Sequence, residues 1–153
     1  MNPAVQQDLE TCILEAIVNT LEELGFLFAM EAEPGEEKGT DGIAVQVGFH
    51  GPFTGAVRLE MSAAVLPMLA ANMLAMDGEP GRVLQMDALG ELANIVCGNV
   101  LPALAGPRAV FNLDHPCVVT GPLEGEPVAG SLVMMDGGWA EARLVVYAAP
   151  PQP

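Results

Sequence analysis

The sequence predicts a single α+β domain, in which a mainly antiparallel sheet is covered on one face by an N-terminal helix and two central helices. Three observations support this fold class. The 153 residues suffice for one core, and 51% of them are hydrophobic, so the chain should fold. The apolar pattern has a helical period near the N-terminus and in the centre, and it alternates elsewhere. Groups of strand-like segments are separated by groups of helical ones, which is typical of α+β domains.

The first predicted elements are a helix and a hairpin. The helix covers residues 7–30, where apolar side chains recur at steps of three and four residues. These apolar residues are Leu9, Ile13, Ile17, Leu21 and Leu24. Residues 31–42 are polar and contain Pro and Gly, which predicts a loop. The period then becomes alternating, so residues 43–61 are predicted to form two strands joined by a tight turn at "GPF".

The centre of the chain is helical again, and its last third is rich in strands. A helix of Ala, Leu and Met is predicted over 63–76, and a longer one from Val83 to Leu104 follows the breaker "DGEPG". Three apolar runs bounded by Gly and Pro then predict strands, "CVVTG", "PVAGSLVMMD" and "GWAEARLVVYAA", with the last two joined at "DGG". No linker divides the chain. We therefore expect one domain over 1–153, with residues 1–6 and 148–153 loose.

The charge of the chain excludes some classes of partner. The formal net charge is −15, which disfavours binding to nucleic acid or to an anionic membrane surface. The only cations are Lys38, Arg58, Arg82, Arg108 and Arg143. We expect the strand residues Arg58 and Arg143 to pair with carboxylates. The longest mostly apolar run, residues 61–76, is too short and too interrupted to span a membrane.

Cysteine and histidine usage indicates a reduced compartment and no metal. The odd number and wide spacing of the cysteines fit neither a disulfide framework nor a metal site, and the N-terminus shows no signal-peptide pattern. The cysteines are Cys12, Cys97 and Cys117, which we interpret as buried small hydrophobic residues. The two histidines, His50 and His115, also lack a metal-ligand spacing. We therefore expect a cytoplasmic protein without a metal site.

One stretch of the long central helix, "DALGELANIVCGNVLPALAG" at 87–106, carries polar residues among apolar ones. At about 100° per residue, the apolar residues of this helix share one side. They are Leu89, Leu92, Ala93, Val96 and Val100. Asp87, Glu91 and Asn94 fall within about 60° of one another on the opposite side, together with Gly98. We call these last four residues the polar stripe.

Two glycines make the polar stripe more than an ordinary polar face. Gly98 lies within it and Gly90 lies on its flank, and each lowers helix propensity by about 1 kcal/mol relative to Ala. This cost predicts that another group approaches the helix closely, as on a docking surface. The spacing by itself also fits a solvated helix face whose glycines only allow packing against a neighbouring element.

The polar stripe and a later proline resemble the signature of the CheC/CheX/FliY family of chemotaxis phosphatases, and CheX-type members most closely. That signature is Asp or Ser, three residues, Glu, two residues, Asn and a Pro further along the chain. Asp87, Glu91, Asn94 and Pro116 match it in order. The hairpin "VGFHGPFTGAVRLEM" and the order of the helices agree as well, so the resemblance covers most of residues 7–147.

The number of sites also follows the CheX type. CheC-type members carry a second copy of the signature on their first helix. Here that helix offers only Glu15 and Asn19, with three residues between them rather than two. The resemblance therefore implies one site, on the long central helix. It also implies a homodimer joined through the sheet, as in CheX-type proteins.

The resemblance implies hydrolysis of the aspartyl phosphate of a CheY-like response regulator, in chemotaxis or related two-component signalling. Asn94 would orient the attacking water, because a carboxamide both donates and accepts hydrogen bonds. Glu91 would pair with the lysine beside the phosphorylation site, while Asp87 and Gly98 would belong to the docking surface. The regulator would supply Mg²⁺, so no cofactor is expected on this chain. The alternative is a non-catalytic CheX-like module that docks a receiver or a flagellar-switch partner, since one fold can host both functions.

Overall fold

The computed structural model describes residues 2–147 and has the predicted α+β architecture, with helices on one side of an antiparallel sheet. The helices are α1 (Pro3–Gly25), α2 (Leu66–Leu74) and α3 (Arg82–Ala105), and a 3₁₀ turn (Ala63–Val65) precedes α2. The strands are β1 (Ala29–Glu31), β2 (Gly42–His50), β3 (Thr54–Ser62), β4 (Asn112–Leu113), β5 (Cys117–Val119), β6 (Ala129–Met135) and β7 (Gly138–Val146). The predicted fold class is confirmed.

The sheet has the strand order β1-β6-β7-β3-β2-β4, and β5 also pairs with β2. All of these pairings are antiparallel. The predicted hairpins are present as β2–β3 and β6–β7. β4 and β5 lie one after the other along β2, where Leu113 pairs with Phe49 and Val119 with Ala44. The chain leaves this ladder between them, at residues 114–116, and this interruption forms part of the site described below.

The core lies between the sheet and the three helices. Because successive strand residues point to opposite faces, one face of the central strands is apolar and fully covered. Its buried residues on β2, β3 and β7 include Val45, Val47, Phe49, Val57, Leu59, Met61, Ala140, Ala142 and Leu144. The other face of the same strands, which we call the outer face, carries charged residues. These are Arg58, Glu60, Glu141 and Arg143.

The ends of α1 differ from the prediction. Asn2 caps the helix, because its Oδ1 accepts a hydrogen bond of 2.8 Å from the Ala4 amide, and Pro3 suits the first helical position. Residues 3–6, predicted to be loose, are therefore helical. The helix ends at Gly25 because Phe26 adopts a left-handed conformation with φ of 53°. Residues 29–31 form β1 instead of continuing the helix. Residues 148–153 lie outside the described part of the chain.

Three expectations about individual side chains are corrected. Leu24 is 40% exposed rather than part of the core, whereas the other four apolar residues predicted on α1 are buried. Cys97 is buried, but Cys12 is only half-buried and Cys117 is exposed. Arg143 contacts Glu141 with an Nε–Oε1 distance of 3.3 Å, as expected. Arg58, in contrast, makes no ion pair with any residue of the described chain.

α3 is long and apolar enough to cross a membrane by length and composition alone, contrary to what the apolar runs predicted. Half of its most apolar segment is buried inside the domain, where the helix packs against α1, α2 and the sheet. Tight packing on several sides requires apolar residues around most of a helix. The composition of α3 is therefore that of a core helix with one narrow polar side.

Candidate functional site

The polar stripe lies at the surface because the apolar residues on the other side of α3 pack in the core. All five residues predicted on its apolar side are buried. They are Leu89, Leu92, Ala93, Val96 and Val100. Asp87, Glu91 and Gly98 are exposed and Asn94 is half-buried, so the structure places all four on the side of α3 that faces away from the core. The predicted grouping is therefore present.

A shallow cavity of about 270 Å³ lies beside the polar stripe. Asp87, Glu91 and Asn94 line it from α3, and His115 and Pro116 line it from the interruption between β4 and β5. The structure thus brings Pro116 next to the three polar residues with which it was grouped by sequence. The neighbouring His115 was not recognised as a site residue, although its position beside Pro116 in the sequence could have indicated it.

The two glycines have different surroundings. A Cβ on Gly90 would lie 3.0 Å from Cβ of Pro116 and 3.3 Å from its Cγ. A Cβ on Gly98 would meet no atom of residues 2–147 within 4 Å, apart from the backbone of its own helix turn and its chain neighbours. The group that approaches Gly90 is therefore a residue of the same chain, which closes one end of the cavity. Gly98 leaves open space at the other end of the polar stripe.

The polar groups of the stripe are free to bind another molecule. Among the side-chain hydrogen bonds found within residues 2–147, none involves Asp87, Glu91 or Asn94. Asn99, further along the same helix, differs because its Nδ2 donates to the Ile95 carbonyl at 2.9 Å. A free carboxamide beside a free carboxylate can hold a water molecule and a cationic group at the same time.

The other polar residues considered lie elsewhere. Glu15 and Asn19 line a separate groove of about 330 Å³ between α1 and α3, together with Asn99. His50 forms an exposed pair with Asp114, with 2.9 Å between Nε2 and Oδ2. Within the described residues, no three His, Cys, Asp or Glu side chains come together as a group that could hold a metal ion.

A match to a protein-family model identifies the family of this chain. The model described as "Chemotaxis phosphatase CheX" matches residues 43–130, which is more than half of the chain. The chain belongs to the CheX family. The matched region contains the first hairpin, the whole of α3 and Pro116. The family expected from the polar stripe is therefore confirmed. Comparison with curated protein sequences gives no match.

Solved structures of CheX and related proteins share the fold. A CheX from Vibrio vulnificus superimposes with a TM-score of 0.71 at 20% identity, covering 91% of this chain and 96% of that one. The CheX–CheY–BeF3–Mg²⁺ complex from Borrelia burgdorferi gives 0.64 at 19%, covering 90% and 97%. FliY from Thermotoga maritima gives 0.59 at 15%, covering 97% and 92%. At these identities the likeness shows the fold alone.

Proposed function

We propose that this member of the CheX family is a phosphatase that hydrolyses the aspartyl phosphate of a CheY-like receiver in the cytoplasm. The observation that carries the proposal is the free carboxamide of Asn94, which lies beside the free carboxylate of Glu91 on the polar stripe. Membership of a family described as chemotaxis phosphatases supports the activity. The complex of the similar Borrelia CheX with CheY, BeF3 and Mg²⁺ supports the class of partner.

The proposed chemistry needs few groups from this chain. Hydrolysis of an acyl phosphate requires a water molecule in line with the leaving carboxylate, and it requires cations that balance the charge of the phosphoryl group. In our proposal, Asn94 accepts a hydrogen bond from that water through Oδ1 and holds it in line. The receiver supplies the phosphorylated Asp and the Mg²⁺. This chain therefore contributes position rather than a nucleophile or a metal.

Docking would depend on charge and on open space. Glu91 would pair with the lysine beside the phosphorylation site of the receiver, and Asp87 would add negative charge one turn away. Gly98 would let the receiver approach α3 closely, because nothing in the described chain occupies the space above it. The net charge of −15 favours partners that present a basic surface.

The deciding experiment follows the decay of a phosphorylated CheY-type receiver from the same organism, with and without this protein. We expect the wild type to accelerate decay, and Asn94→Ala to lose about a hundredfold of that acceleration while it still binds the receiver. Asn99→Ala is the matched control, because Asn99 lies on the same helix and bonds to its own backbone. If the wild type binds receivers without accelerating decay, the chain is a non-catalytic docking module. If Asn94→Ala loses binding and rate equally, the water-orienting role is wrong.

We also propose that the chain forms a homodimer through its sheet. Among residues 2–147, β1 pairs with β6 and with no other strand, so it forms an edge of the sheet, and exposed apolar side chains lie on it and just before it. Phe28 is 77% exposed and Met30 is 76% exposed. Light scattering should give a dimer mass for the wild type and a monomer mass for Phe28→Asp. Val110→Asp, at a residue 78% exposed elsewhere, should remain dimeric. A monomeric wild type would contradict the proposal.

A further inference from the structure

Most of the positive charge of this acidic chain is gathered at one place. The sequence has five Lys and Arg residues against 20 Asp and Glu residues. Four of the five cations line one open groove of about 680 Å³ along the outer face of the sheet. They are Lys38, Arg58, Arg82 and Arg143. We call this feature the cationic groove. Only Arg108 lies elsewhere, and it is exposed.

Arg58 is the most buried charge in the cationic groove. It is 6% exposed, and its Nε and Nη1 donate to Gln46 Oε1 at 3.2 Å and to the Gly121 carbonyl at 2.8 Å. A guanidinium has five N–H groups, so three of them find no acceptor among the described residues. Only Trp139 has a fully buried side-chain nitrogen without a partner in that part of the chain. Nη2 of Arg58 makes no hydrogen bond in that part of the chain either, so it is not fully buried, and its two N–H groups are open to the groove that Arg58 lines.

A second arginine lies directly opposite the first. Arg143 of β7 pairs in register with Arg58 of β3, and both side chains are on the outer face. Like charges placed opposite one another across two strands destabilise a sheet. Burial, and to a lesser degree Arg143, lower the pKa of Arg58 from its ordinary value. The protein thus keeps an unfavourable pair of cations at the centre of its sheet.

None of the nearby carboxylates forms an ion pair with Arg58 within residues 2–147, although the charges of Glu60 and Glu124 partly oppose the lowering of its pKa. Lys38 Nζ contacts Glu60 at 2.5 Å and Glu141 at 3.0 Å, and Arg143 Nε contacts the same Glu141 oxygen at 3.3 Å. Glu126 also lines the groove but makes no ion pair within residues 2–147. Buried charges in proteins normally have a partner, because an unpaired charge is costly to remove from water. Arg58 has no ion-pair partner among residues 2–147.

We propose that the cationic groove binds a small oxyanion, a carboxylate or phosphate group of a metabolite, between Arg58 and Arg143. The planar fork of a guanidinium matches two oxygens of either group. The Gln46 and Gly121 contacts hold the Arg58 side chain in place, so little side-chain freedom is lost on binding. The volume of the groove is within the range of small-molecule sites. Arg58 and Arg143 lie on the face of the sheet opposite the helices, and Arg82, at the N-terminus of α3, is the one helical cation in the lining. The proposed site is independent of the proposed phosphatase activity.

The test is isothermal titration calorimetry of the full chain with inorganic phosphate and, separately, with succinate, at matched ionic strength in chloride. We expect saturable binding of at least one probe, and the comparison of the two distinguishes a phosphate site from a carboxylate site. Arg143→Gln should weaken binding at least tenfold, as should Arg58→Gln. Arg108→Gln removes the same charge outside the groove and should bind like the wild type.

Two outcomes would overturn the proposal. One is the lack of saturable binding of both probes by the wild type. The other is equal affinity in Arg143→Gln and Arg108→Gln, which would show that the binding reflects overall charge. Arg143 is half-buried and, within residues 2–147, its one ion pair is with Glu141, so its replacement should leave a folded protein even if Arg58→Gln does not fold. Thermal melts of each variant without probe verify folding.

Discussion

Gly90 of α3 and Pro116 of the β4–β5 interruption meet so closely that a Cβ on the glycine would lie 3.0 Å from Cβ of the proline. This contact joins the helix that carries the polar stripe to the edge of the sheet. It also defines one end of the shallow cavity beside Asn94. The geometry of the cavity therefore depends on the lack of a side chain at position 90.

The contact predicts that two equivalent substitutions in α3 have different effects on stability. Gly98→Ala should raise the free energy of unfolding by about 0.5–1 kcal/mol, because Ala favours the helix and, within residues 2–147, its methyl group meets nothing beyond the local helix backbone within 4 Å. Gly90→Ala gains the same propensity but must displace Pro116 by a few tenths of an ångström, which costs part or all of that gain. Urea unfolding of the two variants measures the difference. Equal stabilisation by both would show that Pro116 moves aside without cost.

The polar stripe could be predicted from the sequence because its arrangement is set within one helix. The positions of Asp87, Glu91 and Asn94 around α3 follow from the helical period, and the period is strong over this stretch. The approach of Pro116 could not be predicted in the same way. It depends on a break in pairing along β2, far away in sequence, and no local pattern in the residues around 114–116 specifies that break.

Burial on α1 predicts a second contrast. Leu21 is fully buried, whereas Leu24, one turn later on the same helix, is 40% exposed. Leu21→Ala should lower the free energy of unfolding by about 2–5 kcal/mol through lost burial and a cavity. Leu24→Ala should change it by less than about 1 kcal/mol, because most of its surface is already in water. Chemical denaturation of both variants tests this. A comparable loss in both would mean that Leu24 is covered in solution, for example by a second copy of the chain.

Leu24 also shows why the limits of elements are hard to predict from a pattern. The apolar period of α1 continues to Leu24, but the helix ends at Gly25, where Phe26 adopts a left-handed conformation, and Leu24 stays 40% exposed in this last turn. β1 was missed for a related reason. With three residues, Ala29–Glu31 is too short to show an alternating pattern, and its pairing with β6 is decided by the rest of the sheet.

The buried thiol of Cys97 predicts a loss of stability at alkaline pH. Burial raises the pKa of Cys97 from 9.0 to about 12. Above pH 9 the unfolded chain releases this proton while the folded chain retains it, so the free energy of unfolding falls as pH rises. Below pH 9, Cys97 makes its full contribution to the free energy of unfolding. Between pH 9 and the pKa of the folded state, that free energy falls by about 1.4 kcal/mol per pH unit.

Urea unfolding at several pH values between 8 and 11 checks this dependence. Cys97→Ala should have a shallower alkaline slope than the wild type, whatever its stability at neutral pH. Cys117→Ala is the matched control, because it removes an exposed thiol instead of the buried one. Parallel slopes for the wild type and Cys97→Ala would show that the Cys97 thiol ionises equally in the folded and unfolded chains.

The last prediction concerns the charge on the polar stripe. If Glu91 pairs with a lysine of the receiver, Glu91→Gln should weaken receiver binding about tenfold at low salt, because a charge-assisted contact is replaced by a neutral one. The affinity of the variant should also fall less steeply as salt is added, since one screened ion pair is missing. Titration calorimetry of the receiver at two salt concentrations measures both effects.

Glu15→Gln is the control for this prediction. Glu15 is an exposed glutamate in the separate groove between α1 and α3, so its replacement changes the net charge equally without touching the polar stripe. If Glu15→Gln weakens binding as much as Glu91→Gln does, the receiver responds to the overall charge of −15 and not to one residue. If only Glu91→Gln does so, the receiver docks on the side of α3 that carries Asn94, where the proposed water is held.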